Sequence, residues 1–159
     1  MEGKLPVGIV LTQIKQMQAR IIGRLLKDYR LEESGINGAQ MNVLFHLWQE
    51  DDITISQLGN RSQLANTTLT AMLDRLEGQG MVVRRQNPGN RREIKICLTE
   101  KGRSQRYIYD DILKTMRGIN FAGFQEEEIA QLEGYLERFR DNLMRYEKER
   151  DNRHGTHAG

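Results

Sequence analysis

The chain has 159 residues, 38% hydrophobic and 29% charged, with a formal net charge of +2 at pH 7. This composition is typical of a globular, largely helical protein of one structural unit, and it excludes the disordered and fibrous classes. The longest apolar run near the N-terminus, residues 7–11, is too short for a membrane span or a signal-peptide core, and the single cysteine cannot form an internal disulfide, so a cytoplasmic location is expected.

Two helices are predicted in the N-terminal third of the chain. The first runs from Ile9 to Leu31, because apolar residues recur there in steps of three and four, and residues 33–35 end it. Its apolar positions are Ile14, Met17, Ile21, Leu25 and Tyr29. The second runs from about Gly38 to Glu50, since Asn37 is a favourable N-cap and the side chain of Gln40 can reach back to it.

Two shorter helices are predicted next. The β-branched segment 53–55 precedes one or two helical turns from Ser56 to about Arg61. From about Asn66 to Gln79 an apolar stripe recurs at helical spacing, and threonines cover much of the remaining surface. Gly80 is well placed to end this helix in a left-handed cap.

A β-hairpin is predicted directly after this helix. Residues 81–84 and 93–98 are β-branched or strictly alternating, and residues 88–90 form the tip. The residues that share one face of the second strand are Ile94, Ile96 and Leu98. The hairpin carries two arginine pairs, and residues 84–103 include seven basic residues against two acidic ones.

The C-terminal part of the chain predicts two longer helices. Thr99 is a good N-cap for a helix that runs to about Arg117, and residues 118–123 break it. The last helix begins near Gln125 and runs to about Lys148. It carries an acidic face beside an apolar stripe, so we expect it to meet a partner helix and not nucleic acid.

The order of these elements is that of a winged helix-turn-helix, in which the second of two short helices enters the major groove of DNA. A major groove about 12 Å wide admits one helix, and an arginine-bearing loop beside it can follow the backbone or enter the minor groove. The basic cluster would then contact phosphates and give a salt-dependent affinity. The alternative is that the arginines only keep a hairpin edge charged, which prevents pairing with strands of other molecules.

The stretch LTAMLDRLEGQGMVVRRQNPGNRREIKICLTEKG, Leu69 to Gly102, resembles the multiple-antibiotic-resistance regulator (MarR) family. It matches the family's Leu-Asp-Arg-Leu-Glu-x-x-Gly end of the recognition helix, its Asn/Asp-Pro wing and its Leu-Thr-x-x-Gly start of the following helix. The resemblance implies a mainly α fold with a small β-wing, a winged helix-turn-helix flanked by N- and C-terminal dimerisation helices. Residues 1–35 would then be an N-terminal dimerisation helix, 36–99 the DNA-binding lobe, 100–150 the C-terminal dimerisation helices and 151–159 a disordered tail.

The resemblance also assigns DNA contacts. Arg92 matches the arginine that family members place in the minor groove, and Arg91 is its basic neighbour. Hydroxyl and amide side chains at the start of the recognition helix suit base edges and phosphates, although helix capping and simple exposure would also explain the threonines. The predicted DNA-binding residues are Asn66, Thr67, Thr68, Thr70, Arg75, Arg84, Arg85, Arg91 and Arg92.

Three features depart from the family pattern. Asn90 stands where many relatives have an acid that orients the wing arginines, so here an amide must do so by hydrogen bonding. Ala71 stands where a base-reading arginine is common. Ser62 and Ala65 replace an apolar residue and a capping serine, so an atypical turn is expected between the two short helices. Replacing a cap by Ala typically costs ~1 kcal/mol.

The family further implies a pocket for a small aromatic or anionic effector between the dimerisation helices and the winged lobe. The predicted lining residues are Met17, Arg20, Arg24, His46, Trp48 and Tyr107, for which packing in the core is the alternative. Redox sensing would use a cysteine near the start of the first helix, and Cys97 instead lies on a wing strand. His154 and His157 belong to the tail, so no metal or cofactor is expected.

No catalytic motif is recognisable in the sequence, so the protein is not expected to be an enzyme. The sequence predicts a ligand-responsive transcriptional repressor that binds a pseudo-palindromic operator on double-stranded DNA as a homodimer, without membrane association. The recognition helix would enter the major groove and the wing the minor groove. The alternative is a winged-helix protein-interaction module that has lost DNA binding, which Ala71 and Asn90 suggest.

Overall fold

The computed structural model describes residues 5–29 and 36–155, the last three of them by their backbone alone. Its helices are α1 (Val7–Asp28), α2 (Gly38–Gln49), α3 (Ile55–Ser62), α4 (Asn66–Gly78), α5 (Glu100–Ser104), α6 (Arg106–Asn120) and α7 (Glu126–Gly155). Its strands are β1 (Ile53–Thr54), β2 (Val82–Asn87) and β3 (Asn90–Leu98). The chain divides into two compact units, one ending at Met116 and the other beginning at Arg117.

Local sequence signals set the helix boundaries of the first unit. α2 begins with a capping box, in which the Asn37 side chain accepts from the Gln40 backbone and the Gln40 side chain accepts from the Asn37 backbone, as predicted. α3 begins with a second capping box of the same kind, formed by Thr54 and Gln57. Gly80 follows α4 with φ of +70°, which confirms the predicted left-handed cap.

The three strands form one antiparallel sheet in the order β1-β3-β2. Val82 pairs with Leu98 at the base of the hairpin, and Asn87 pairs with Asn90 at its end. The turn therefore consists of Pro88 and Gly89 and is one residue shorter than predicted. The side-chain oxygen of Asn87 accepts the Gly89 N–H at 3.1 Å and stabilises this turn. The wing is consequently an extended ribbon almost to its tip.

The core of the first unit lies between the helices and the base of this sheet. Its fully buried side chains include Leu44 and Leu47 of α2, Leu58 of α3 and Ile96 of β3. Three residues of α6, Ile108, Ile112 and Met116, join the same cluster. Burying such side chains is worth ~1.5–3 kcal/mol each, and this burial holds α4 against α2.

Several apolar side chains of the first unit are exposed. Ile94, which shares one face of β3 with Ile96, is 40% exposed, because it lies farther out on the hairpin, beyond the helices that cover the base of the sheet. Ile14 and Met17, on the apolar face of the first helix, are 43% and 52% exposed. Within the first unit α1 packs only through its C-terminal half, where Leu26 is buried.

The helix boundaries differ from prediction at three places. α1 ends at Asp28 with Tyr29 as its C-cap, and the predicted break at residues 33–35 lies outside the described residues. The helix predicted from Thr99 to Arg117 is interrupted at Gln105, because its first turn is tied to the start of β2 and a new helix begins beyond that attachment. It also continues past the predicted break at residue 118, to Asn120.

The second unit consists of the end of α6, a turn and α7. Arg117 forms ion pairs with Glu126 at 3.0 Å and Glu133 at 3.5 Å, and Gly123 has φ of +85° in the turn between them. α7 was predicted to end near Lys148 with a disordered tail from residue 151, but it continues to Gly155. Residues 156–159 lie outside the described part.

Candidate nucleic-acid interface

The outer face of α4 carries the side chains predicted to touch DNA. Leu69, Leu73 and Leu76 are fully buried and hold the helix against the core. Because residues three and four apart share a face, the polar positions between these leucines point outward. The predicted DNA contacts of α4 are all exposed, as are its acids Asp74 and Glu77; they are Asn66, Thr67, Thr68, Thr70 and Arg75.

The start of α4 is uncapped by any side chain. Ala65 occupies the N-cap position and forms no side-chain hydrogen bond, and Gln63, the C-cap of α3, is in the left-handed region with φ of 53°. The first N–H groups of α4 are left for water or an anion such as a phosphate oxygen.

The wing presents two arginines close to its tip. Arg91 and Arg92 are exposed and stand on β3 directly after the turn. The Asn90 amide oxygen accepts the backbone N–H of Arg92 at 3.2 Å, and the Asn87 amide donates to Glu93. Asn90 thus forms a hydrogen bond as expected, but it fixes the strand backbone and not the Arg92 guanidinium.

Arg84 and Arg85, predicted as one phosphate-binding pair, have different surroundings. Arg85 is exposed. Arg84 has only 23% of its side chain exposed, with Nη2 at 2.7 Å from Asp74 Oδ1 and a second hydrogen bond from Nη1 to Glu77. Burial opposes the charge of Arg84, but the bonds to both carboxylates outweigh this effect and raise its pKa. Arg84 is therefore an internal ion-pair partner of α4.

Two aspartates that sequence reasoning missed hold the base of the wing. Asp52 follows α2 with φ of 58°, and its carboxylate accepts from the Cys97 thiol at 3.0 Å and from Lys95 Nζ at 2.9 Å. These hydrogen bonds lower the pKa of Asp52. Asp51 accepts the Leu98 N–H at 2.8 Å and pairs with Arg103 at 2.6 Å. An Asp-Asp pair directly after a helix was the only signal for this role.

Cys97 is buried, although the strand alternation placed it on the face opposite the core. Asp52 lies against that face of β3, and its carboxylate accepts a hydrogen bond from the Cys97 S–H. Burial and this hydrogen bond raise the pKa of the Cys97 thiol to about 11. The thiol is therefore protonated at neutral pH and poorly reactive.

A glycine contact fixes α5 against the start of the hairpin. Thr99 caps the helix through the Gly102 N–H at 3.0 Å, and its hydroxyl donates to the Gly80 carbonyl at 2.6 Å. The Gly102 carbonyl accepts the Trp48 indole N–H at 2.9 Å. A Cβ on Gly102 would lie 2.1 Å from the Met81 carbonyl oxygen, so only glycine fits there.

The predicted effector residues differ in their surroundings. Arg20 and Arg24 are exposed like Met17, Tyr107 is 67% exposed, and Trp48 is a buried core residue. His46 is half-buried beside Phe45, and burial followed by the nearby Arg61 charge lowers its pKa. Trp48 packs in the core, which was the alternative considered for these positions.

A groove of about 730 Å³ lies instead between α1, α2 and the residues around the start of α4. It is lined by Lys15, Gln18, Ala19, Ile22, Gly23, Leu26, Ile36, Asn37, Gly38, Ala39, Asn42, Leu64 and Met72. None of the six predicted effector residues is among them. Its wall is largely apolar, and Leu64 and Met72 connect it to the turn before α4 and to α4 itself.

Two further classes of site were searched for in the described residues. Within residues 5–29 and 36–155, no three His, Cys, Asp or Glu side chains are grouped so that they could hold a metal ion. None of the helices described there combines the length and apolar character that crossing a bilayer requires.

Known transcriptional regulators resemble this chain in sequence and in structure. The MarR family model matches residues 36–94. The HTH-type transcriptional regulator TtmR of Methylorubrum extorquens is 35% identical over 104 residues, which are 65% of this chain and only about half, 52%, of that relative. The organic hydroperoxide resistance transcriptional regulator of Bacillus subtilis is 31% identical over 70% of this chain and 76% of its own length. A crystal structure of a mutant MarR from E. coli complexed with operator DNA superimposes with a TM-score of 0.72 at 27% identity, covering 85% of this chain and 94% of that one. The chain therefore belongs to the MarR family of transcriptional regulators.

Proposed function

We propose that this protein is a ligand-responsive repressor that binds a pseudo-palindromic DNA operator as a homodimer. The observation that carries the proposal is that one lobe presents both the polar outer face of α4 and, on the adjoining hairpin, the exposed Arg91 and Arg92. The operator complex of the E. coli MarR mutant supports the same use of this lobe here.

Each element has chemistry suited to one groove. Asn66 can pair with adenine through two hydrogen bonds, and threonine methyl groups can contact the thymine methyl in the major groove. Arg92 at the end of a narrow two-stranded ribbon suits the minor groove, where the negative potential is strongest. The uncapped start of α4 adds backbone N–H donors for a phosphate.

Exposed apolar side chains support the homodimer. On α1 they are Val7, Ile9, Val10, Ile14 and Met17, and on α7 they are Leu132, Tyr135, Leu136, Phe139, Leu143, Met144 and Tyr146. Exposed apolar stripes of this length on a helix are typical of a protein interface. A second copy of the chain would cover both faces. One chain has a mass of 18.5 kDa, so light scattering after size exclusion should report twice this mass. A monomer at micromolar concentration would count against the dimer.

Ligand response is supported by the groove beside α4. Its volume of about 730 Å³ is within the range of small-molecule pockets, and it combines an apolar wall with the Lys15 ammonium. A ligand that binds one orientation of α4 better than another would shift the population of DNA-binding dimers by no more than its differential affinity. Small aromatic acids are the proposed class of effector.

DNA titration tests the proposal directly. The wild-type protein should bind random duplex DNA at low salt with a Kd of roughly 10⁻⁴ to 10⁻⁶ M or better, because phosphate contacts alone supply this affinity. Arg92→Ala should weaken binding and lower the salt slope by about 1.8, because a homodimer loses two arginines and each contact contributes about 0.9. Arg138→Ala is the matched control, since Arg138 is an exposed arginine of α7, outside the lobe with the wing.

The outcomes separate two functions. Loss of slope in Arg92→Ala but not in Arg138→Ala supports the minor-groove role of the wing. A salt slope that is the same in Arg92→Ala as in Arg138→Ala would contradict that role. Undetectable binding of wild-type protein to random duplex at low salt would contradict DNA binding altogether and would favour a protein-interaction module.

A further inference from the structure

Arg84 is directed at the recognition helix and not at solvent. Its guanidinium forms hydrogen bonds with two carboxylates of α4, Asp74 and Glu77, which are three residues apart and so share one face of the helix. A guanidinium presents a planar fork of N–H donors, so one arginine can satisfy both acids at once. This contact joins the last two turns of the recognition helix to the first strand of the wing.

Glu77 also binds the backbone of the same residue. Its Oε1 accepts the Arg84 N–H at 3.1 Å, while its other oxygen accepts from the Arg84 side chain. β2 is the edge strand of the sheet, and the bond from Glu77 covers an edge N–H of that strand. Backbone and side chain of Arg84 are thus held by one helix.

Other contacts converge on the same end of α4. The buried Gln40 side chain donates to Gln79 at 3.2 Å, and Lys101 Nζ donates to the Gln79 carbonyl at 2.9 Å. The opposite end of the helix begins at the uncapped Ala65. The C-terminal end is therefore where the orientation of α4 relative to the wing is set.

We propose that Arg84 is a positioning residue that fixes the recognition helix to the wing and does not contact phosphate. The inference rests on the proposed function, since it assumes that α4 and the wing dock on DNA together. Sequence-specific binding requires both elements to fit their grooves at once, and a loosened joint misplaces base contacts. Non-specific attraction to phosphates depends on charge and tolerates the same looseness.

Arg138 is the matched control. It is an exposed arginine of α7, it carries the same charge, and it belongs to neither α4 nor the wing. Substitution of either arginine by lysine keeps the charge and removes the fork of N–H donors.

The first experiment compares Arg84→Lys with Arg138→Lys. For each variant, the Kd and its salt slope are measured with a duplex that the wild-type protein selects from a random pool, and with a random duplex of equal length. Arg84→Lys should weaken binding to the selected duplex roughly tenfold, the effect of losing about one good base contact, with the salt slope and random-duplex Kd unchanged. Arg138→Lys should change neither Kd, because Arg138 belongs to neither α4 nor the wing. Full affinity of Arg84→Lys for the selected duplex would overturn the proposal.

The second experiment removes both carboxylates with Asp74→Ala and Glu77→Ala together, because alanine leaves no side-chain oxygen that could accept from Arg84. If these acids only repelled DNA, their loss would tighten binding to both duplexes by the same factor. The proposal instead requires the preference for the selected over the random duplex to fall by roughly tenfold. An unchanged or increased preference would overturn it.

Hydrogen exchange tests the joint without DNA. In the double variant, the amide of Arg84 and those of the last turn of α4 should exchange faster than in the wild type, while the amides of α2 should not. If wild-type protein binds neither duplex, DNA binding is refuted while this measurement still decides whether the joint exists. Unchanged exchange at Arg84 would refute the joint itself.

Discussion

Gly102→Ala is predicted to be a severe destabilising change made by one methyl group. An added Cβ would lie 2.1 Å from the Met81 carbonyl oxygen and 3.2 Å from Leu98 Cδ2. The nearer atom belongs to the backbone and cannot rotate away. α5 must therefore move from the hairpin by roughly 1 Å, in an interior that is close-packed.

The cost follows from the contacts that such a movement disturbs. Overpacking a well-packed site costs ~1–3 kcal/mol, and leaving the buried Trp48 indole N–H without the Gly102 carbonyl costs a further ~1–3 kcal/mol. The better helix propensity of Ala returns at most ~1 kcal/mol. The net loss in the free energy of unfolding should be about 1–5 kcal/mol.

Urea unfolding followed by tryptophan fluorescence measures this loss, because Trp48 is the single tryptophan and its indole bonds directly to Gly102. Protein concentration must be equal for all variants if the protein is a dimer. Gly118→Ala in α6 is the control, since no atom lies within 4 Å of its Cβ position. It should be neutral or more stable by up to ~1 kcal/mol. A loss below about 0.5 kcal/mol in Gly102→Ala would refute the steric reasoning.

Three other predictions concern the corner of α2, the wing strand and the end of α4. Hydrogen bonds from Cys97 and Lys95 lower the pKa of Asp52 in the folded state. Its carboxylate therefore stabilises the folded state at any pH above the unfolded-state pKa of 3.8. This stabilisation is lost as the pH falls through the lower pKa of the folded state. Asp52→Asn should therefore have a lower urea midpoint than wild type at pH 7 and converge with it in acid; equal midpoints at pH 7 would contradict this role. The pKa of Cys97 is raised from 9.0 to about 11, so at pH 7 its thiol should react with iodoacetamide roughly 100-fold more slowly than an unperturbed thiol. Unfolding in urea should remove this protection. Fast reaction of the native protein would refute the protonated state of the thiol. Gly80→Ala should cost ~1–2 kcal/mol in urea unfolding because φ is +70° although the surrounding space is open, and an unchanged midpoint would show that the backbone relaxes there.

The inertness of Cys97 bears on what signal the protein could sense. One relative is named an organic hydroperoxide resistance regulator. In this chain the single thiol is buried, hydrogen-bonded to Asp52 and protonated at neutral pH. Peroxides react with thiolates, so oxidation of Cys97 is a poor trigger, and a bound small molecule is the better candidate for the signal.

Local patterns in the sequence were sufficient for most of the secondary structure. The capping box of Asn37 and Gln40, the left-handed Gly80 and the Thr99 cap each involve groups within about four residues of one another, so neighbouring letters specify them. The same holds for the exposed face of α4, because the spacing of its leucines fixes which residues point outward. The family motif added the expected use of that face.

The tertiary structure decided which of these residues meet across long separations in the chain. Arg84 looked like a solvent-facing companion of Arg85, yet its partners are two acids on the preceding helix. The sequence placed Cys97 on a wing strand, and only the structure shows that Asp52, 45 positions earlier, accepts a hydrogen bond from its thiol. Hydrophobic periodicity and caps act over one or two turns, whereas an ion pair or a buried thiol depends on where the packed core brings separate elements together. The sequence therefore determined the elements and their faces, and packing of the core determined which charges remain available to DNA.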